Sequence, residues 1–191
     1  MAFDRYEDGH SSIYLVGAEG GKPHAITGAG FGDIRPSFSR DGQWVYFASN
    51  RSGRLEIWKV SASGQGAPQQ VTHNGGNEPF ESPDGKTLYY VNGGLWGMPV
   101  AGGEPKPIVP EASLSLYTVA GRSIYYALRN PPSLWVLRTD TGRRFEYVRF
   151  PKPTIGLDGG TAFSVSADER TIVFTQLDRQ ESDLVLVEHF K

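Results

Sequence analysis

The chain of 191 residues contains no cysteine and only two methionines. Without cysteine, disulfides, thiolate catalysis and cysteine-ligated zinc are all excluded. No apolar run is long enough to cross a bilayer, and residues 1–6 lack the basic and apolar regions of a secretory signal. A net charge of −2 gives no electrostatic basis for binding nucleic acid or an anionic membrane. We therefore expect neither kind of partner.

Glycine and proline are abundant, with 24 and 13 residues, and 38% of the chain is hydrophobic. The hydrophobic content is high enough to build a core. Many glycines and prolines are typical of a fold with short strands and tight turns.

One short sequence motif recurs through the chain. A polar turn built on Asp-Gly is followed by a strand of β-branched and aromatic residues, and the copies are 39–47, 82–90, 118–126 and 166–174. The position of Gly42 recurs after 43, 36 and 48 residues. A period of roughly 40 residues with this content predicts the blades of a β-propeller. The predicted fold is all-β, with four-stranded antiparallel blades.

Alternation within the second repeat predicts strands at 34–39, 44–49, 55–60 and 69–72. Extending this register divides the chain, as one partial propeller over 1–191, into a blade fragment, three whole blades and an incomplete last blade. Their ranges are 1–27, 28–72, 73–109, 110–149 and 150–191. The chain thus holds about four to five blades, and the first and last of them lack strands.

The turns resemble the TolB-type propeller repeat, which carries Pro-x-x-Ser-x-Asp-Gly before the second strand. Residues 36–42 and 79–85 carry this pattern, whereas the third turn has Ala120 for Asp and the fourth has Glu169 for Gly. The resemblance implies a bacterial and often extracytoplasmic protein. It implies no single activity, because such propellers serve as interaction platforms, sensor domains, gating domains of serine peptidases and, in some relatives, metal-dependent lyases.

A propeller must close, because an open ring exposes sheet edges. Two explanations of the incomplete ends stay open: the chain is part of a longer propeller, or it closes by pairing with another copy. In the second case the spare strand at 24–27 would join a neighbour's incomplete blade by strand swapping. We predict a homo-oligomer, with a dimer favoured.

The Asp-Gly turns do not have the spacing of a calcium loop, so we interpret Asp41 and Asp84 as turn caps. The chain also lacks the Gly-x-Ser-x-Gly elbow of a serine hydrolase. The four histidines (His10, His24, His73 and His189) could be exposed loop residues, or ring closure could gather some of them at a metal.

The segments that enter the innermost strands of a propeller face its central channel, where ligands usually bind. At these entries lie the polar residues Asp33, Arg35, His73, Asn77, Glu78 and Asp158. We predict that Asp33, Arg35, Asn77 and Asp158 bind a ligand, and that His73 and Glu78 hold a metal. A polar, water-filled channel without a ligand is the alternative.

The function predicted from the sequence is a propeller binding or scaffold module with a protein or small-molecule ligand. The alternative is a metal-dependent hydrolase or lyase that acts on ester, phosphoester or glycan substrates at the channel mouth. There a divalent zinc, manganese or calcium ion would activate water. Whether the chain is an enzyme is left open by its sequence.

Overall fold

The structure is a computed structural model, and it describes residues 1–110, 117–129, 131–150 and 163–174. These residues form strands and turns, and no helix among them is long and apolar enough to cross a bilayer.

The described strands form five antiparallel sheets, and within each sheet strands that are consecutive in the chain lie side by side. The first sheet contains β1 (Ala2–Glu7), β2 (His10–Gly17) and β3 (Gly20–Ala25). The second contains β4 (Asp33–Phe38), β5 (Trp44–Ser49), β6 (Glu56–Ser61) and β7 (Gln69–Gln70). The third contains β8 (Asn77–Glu81), β9 (Thr87–Val91), β10 (Leu95–Pro99) and β11 (Lys106–Val109). The fourth contains β12 (Tyr117–Ala120), β13 (Ser123–Arg129), β14 (Pro132–Arg138) and β15 (Arg144–Arg149). The fifth contains β16 (Phe163–Val165) and β17 (Ile172–Phe174).

The second sheet shows how the sequence sets the strand ends. β5 has the predicted bounds, whereas β4 ends before Ser39 because this residue belongs to the turn. β7 is only two residues long, because the Thr72 hydroxyl rather than a backbone carbonyl accepts the bond from the Ile57 N–H, at 2.8 Å. A side chain thus ends the ladder earlier than the alternation predicts.

The Asp-Gly turns are held by one repeated set of bonds. The Ser39 hydroxyl donates to the Asp41 carboxylate at 2.6 Å and accepts from the Trp44 N–H at 2.9 Å. The same bonds recur at 82–87 and 166–171, with the same distances. Gly42 has φ 70°, which a glycine adopts without strain. These bonds match the interpretation of Asp41 and Asp84 as turn caps.

In the described part of the chain the core consists of four hydrophobic clusters, and each lies between two successive sheets. Val45 and Phe47 on one face of β5 pack toward the first sheet, and Tyr46 and Ala48 on the other face pack toward the third. Three of the four tryptophans (Trp58, Trp96 and Trp135) pack against these clusters. The second, third and fourth sheets are therefore apolar on both faces, as a propeller blade must be.

The leading strands of successive sheets contact one another, as the innermost strands of a propeller do (β4 with β8, β8 with β12, and β12 with β16). The predicted fold class is confirmed: the chain is all-β, with four-stranded antiparallel blades and incomplete sheets in its first and last described parts. The exact blade boundaries remain a prediction.

Candidate functional site

The candidate site lies on β4 and β8, the leading strands of the second and third sheets. Each strand is interrupted by a register shift at a residue that precedes proline, Arg35 in β4 and Glu78 in β8. Both residues have the left-handed backbone conformation, with φ angles of 57° for Arg35 and 52° for Glu78. A side chain in this conformation costs about 1–3 kcal/mol, and such residues concentrate at functional sites.

The two left-handed residues face each other across the sheets. The Arg35 guanidinium forms an ion pair with the Glu78 carboxylate, and both side chains are partly buried, with 22% and 13% exposed. Burial lowers the pKa of Arg35, and the nearby Asp4 carboxylate opposes this effect. A guanidinium and a carboxylate are therefore held at neighbouring strands, partly open to solvent.

Three further groups fix this pair. The Asp4 carboxylate accepts from the Arg35 N–H at 3.1 Å, and the Asn77 side chain accepts from the Glu78 N–H at 3.0 Å. The Tyr117 hydroxyl, on β12, donates to the Glu78 carbonyl. Residues of four sheets thus meet here, and the structure brings Arg35, Asn77 and Glu78 together; their roles in binding a ligand or a metal remain predictions.

Asp33 has a different environment. Its side chain is fully buried, and both carboxylate oxygens accept from the Arg51 guanidinium at 2.7 Å. The Arg51 guanidinium also lies over the rings of Phe31, Phe47 and Trp58, 5.0–5.3 Å from their centroids. Asp33 is therefore bound within the protein, and its predicted role in ligand binding remains a prediction.

The predicted metal ligands do not form a cluster in the described part of the chain. His73 is exposed, its carbonyl accepts from the Arg54 guanidinium, and Glu78 is paired with Arg35. Among the described residues no three His, Asp or Glu side chains are grouped so that they could hold a metal ion. Asp158 and His189 lie outside the described residues.

The sequence analysis missed two carboxylates that join neighbouring sheets. Glu81 accepts from the Tyr46 hydroxyl at 2.8 Å and from the Arg40 N–H at 2.7 Å, which ties the third sheet to the second. Glu169 likewise accepts from the Tyr125 hydroxyl at 2.9 Å. A tyrosine at the same place in three of the four repeats (Tyr46, Tyr89 and Tyr125) was the available signal.

Glu169 makes the more extensive contacts of the two. Besides Tyr125 it accepts from the Arg122 N–H, the Ser123 hydroxyl and the Arg138 guanidinium, at 3.0, 2.9 and 2.7 Å. Burial acts to raise the pKa of Glu169, but these hydrogen bonds and the Arg138 charge together hold it below its ordinary value. Burial and the bond to Glu169 raise the pKa of Tyr125 to about 12.

Several solved structures resemble the chain in fold. TolB from Acinetobacter baumannii superposes with a TM-score of 0.74 and 22% identity, over 93% of this chain and 46% of that one. A protein described as TolB from Agrobacterium tumefaciens has a TM-score of 0.63 and 19% identity, over 76% and 59%. A puromycin-hydrolyzing peptidase from Mycobacterium tuberculosis has a TM-score of 0.61 and 18% identity, over 78% and 26%. At these identities the likeness shows the fold alone.

The sequence comparisons point the same way. An uncharacterized protein of Agrobacterium fabrum is 32% identical over 83 residues, which are 42% of this chain and 28% of that protein. The chain thus spans less than a third of this relative and less than half of the Acinetobacter TolB. The family model of the TolB beta propeller domain matches residues 1–99. The chain therefore belongs to the TolB β-propeller family.

Proposed function

We propose that the chain is a binding module of the TolB propeller type, and that it binds a charged group of a protein or small-molecule ligand at Arg35 and Glu78. The observation that carries this proposal is the ion pair between two left-handed residues on neighbouring leading strands. Stability alone does not require such a conformation, which costs free energy in two blades at once.

The ion pair suits exchange with a ligand. A carboxylate of the ligand can take the place of Glu78 beside Arg35, or a cationic group can take the place of Arg35 beside Glu78. Because both side chains are already partly desolvated, the exchange requires little further loss of hydration. Asn77 and Tyr117 hold the Glu78 backbone in position during this exchange.

A peptide array with varied charge patterns tests the proposal. The double variant Arg35→Glu/Glu78→Arg keeps one positive and one negative group but reverses their places. We expect wild type and this variant to bind different sets of peptides. The matched control is Arg149→Glu/Glu146→Arg, which reverses an exposed ion pair whose nitrogen and oxygen atoms are 2.7 Å apart. If the first variant binds the same peptides as wild type and remains folded, the proposed site is wrong.

The finer proposal concerns assembly and location. The sequence predicts that the strand at 24–27 joins a neighbour's incomplete blade, whereas in the structure β3 (Gly20–Ala25) pairs with β2 of its own first sheet. We propose instead that a second copy of the chain adds a strand beside β1 of the first sheet, so that the ring closes as a homo-oligomer, with a dimer favoured. The likeness to TolB supports an extracytoplasmic location for such an assembly.

The alternative of a metal-dependent hydrolase or lyase has its own test. Metal analysis of the purified protein, wild type against His73→Ala and Glu78→Ala, would detect a bound zinc, manganese or calcium ion. A stoichiometric metal that both variants lose would favour the enzyme. Metal-free protein without esterase activity after metal addition would favour the binding module.

A further inference from the structure

A hydrogen bond from a tyrosine hydroxyl to a glutamate joins the second sheet to the third and the fourth sheet to the fifth. Between the third and fourth sheets a cavity lies at the equivalent position. Tyr46, Tyr89 and Tyr125 occupy the same place in their repeats, four residues after the turn glycine. The hydroxyls of Tyr46 and Tyr125 donate to Glu81 and Glu169 of the following sheet. Glu81 lies four residues before its turn glycine, Gly85. In the fourth sheet the equivalent residue is Tyr117, so no carboxylate is available there for Tyr89. The Tyr117 hydroxyl donates to the Glu78 carbonyl.

The cleft beside Tyr89 is open. A cavity of about 510 Å³ lies between the turns of the third and fourth sheets, and its lining includes Thr87, Tyr89, Arg122 and Thr139. Burial and the nearby Asp84 carboxylate raise the pKa of Tyr89, although a hydrogen bond with the Thr87 side chain opposes them, so the hydroxyl keeps its proton and can donate it to a ligand in place of Thr87. The cleft therefore offers the donor that binds a carboxylate in both neighbouring clefts.

A guanidinium supplies the positive charge. Arg122 lines the same cavity, and its side chain is 81% exposed, with the Asp140 carboxylate 3.7 Å away. In the next cleft an arginine, Arg138, binds Glu169 together with Tyr125, so a tyrosine and an arginine already make one carboxylate site in this fold.

Asp84 also lines the cavity, but it does not prevent an anion from binding there. Its carboxylate is bound within its own turn by the Ser82 hydroxyl at 2.6 Å and the Lys86 N–H at 3.1 Å. In the cleft between the second and third sheets, Asp41 has the same bonds, and the Glu81 carboxylate still lies against Tyr46.

The other end of the cleft is apolar. A second cavity of about 320 Å³ shares Tyr89 and Thr139 with the first, and its walls include Ile108, Ile124 and Leu137. A ligand with its carboxylate between Tyr89 and Arg122 would place an apolar group against these side chains.

We propose that this cleft binds a small carboxylic acid with an apolar chain, whose carboxylate takes the place that Glu81 and Glu169 have in the neighbouring clefts. The site is separate from Arg35 and Glu78, and the proposal does not depend on the function proposed above.

Backbone amide NMR with hexanoate as the probe tests this site. We expect saturable shifts at Gly121, Arg122 and Thr139 at concentrations of about 1–10 mM, the range for a small ligand with few contacts. Hexanamide has the same chain without the charge, and we expect it to bind at least about tenfold more weakly.

Two variants assign the contacts. Tyr89→Phe removes only a hydroxyl, and Arg122→Gln changes an exposed side chain, so neither should unfold the protein. Each should weaken hexanoate binding about tenfold. Tyr46→Phe is the matched control, since its cleft already holds Glu81. The proposal fails if no saturable shift occurs, if hexanamide binds equally well, or if both cleft variants retain the affinity of the control.

Discussion

At the scale of single residues, the most consequential buried charge is Asp33. Its carboxylate is fully buried, and the Arg51 guanidinium is the partner that compensates it. Three aromatic rings lie against the Arg51 guanidinium and help to hold it in place. Removing one member of such a pair leaves an uncompensated buried charge, which costs more than the intact pair contributes.

We therefore expect Arg51→Met to lower the free energy of unfolding by about 3–5 kcal/mol. Urea denaturation measures the change. Arg149→Met is the matched control: it breaks an exposed pair with Glu146, and such pairs contribute at most about 1 kcal/mol. Equal effects of the two substitutions would contradict the structural role given to Arg51.

Gly121 is the second residue at which a small change has a large effect. Its φ is 52°, and a Cβ there would collide with the Glu169 carboxylate. We expect Gly121→Ala to cost about 1–3 kcal/mol in the free energy of unfolding, and to cost less in a Glu169→Ala background. Gly142→Ala is the control, because that glycine is also left-handed, at φ 69°, but has open space around it. If Gly121→Ala lowered the free energy of unfolding equally in the wild-type and Glu169→Ala proteins, the collision with Glu169 would not be the cause of the loss.

At the scale of the element, the serine–aspartate turn is the repeated unit. The bond from the serine hydroxyl is the main cause that lowers the pKa of Asp41, Asp84 and Asp168, and a backbone N–H adds to it. A lowered pKa in the folded state stabilises the fold at pH values above the ordinary aspartate value of about 3.9. This contribution is lost as the pH falls through the lowered pKa.

Ser39→Ala should therefore raise the pKa of Asp41 toward its ordinary value, so that Asp41 takes up its proton at a higher pH. Carboxyl-carbon NMR titration of the folded protein measures this shift. Asp84 serves as an internal control in the same sample, because Ser82 remains in place. An unchanged Asp41 titration, or an equal shift at Asp84, would show that the serine is not the cause.

These turns could be predicted from the sequence because their bonds join residues within five positions of one another. The ion pair of Asp33 could not, since Arg51 is 18 residues away and nothing in the pattern of β4 marks the aspartate as buried. Glu81 and Glu169 also escaped prediction. The tyrosines that they bind are equivalent, but the two glutamates are not: Glu81 lies before its turn, whereas Glu169 lies within its turn.

At the scale of the whole molecule, the first sheet has an edge that no described strand covers. In the sheet order β1 pairs only with β2, and Tyr6 on β1 is 73% exposed. The two-residue turn at 8–9 makes Glu7 and His10 the closing pair of the hairpin. Alternate residues of β1, among them Asp4 and Tyr6, therefore direct their N–H groups to the open edge. This edge is where we propose that a second copy adds its strand.

Substituting Tyr6 by proline tests that edge directly. Proline removes the N–H that a neighbouring strand would need and leaves the hairpin bonds of β1 intact. Light scattering should give an oligomer of the 20.9 kDa chain for wild type and a monomer for Tyr6→Pro. Tyr6→Thr, which keeps the N–H and suits a strand, should remain oligomeric. A monomeric wild type, or an oligomeric Tyr6→Pro, would show that this edge does not join copies of the chain.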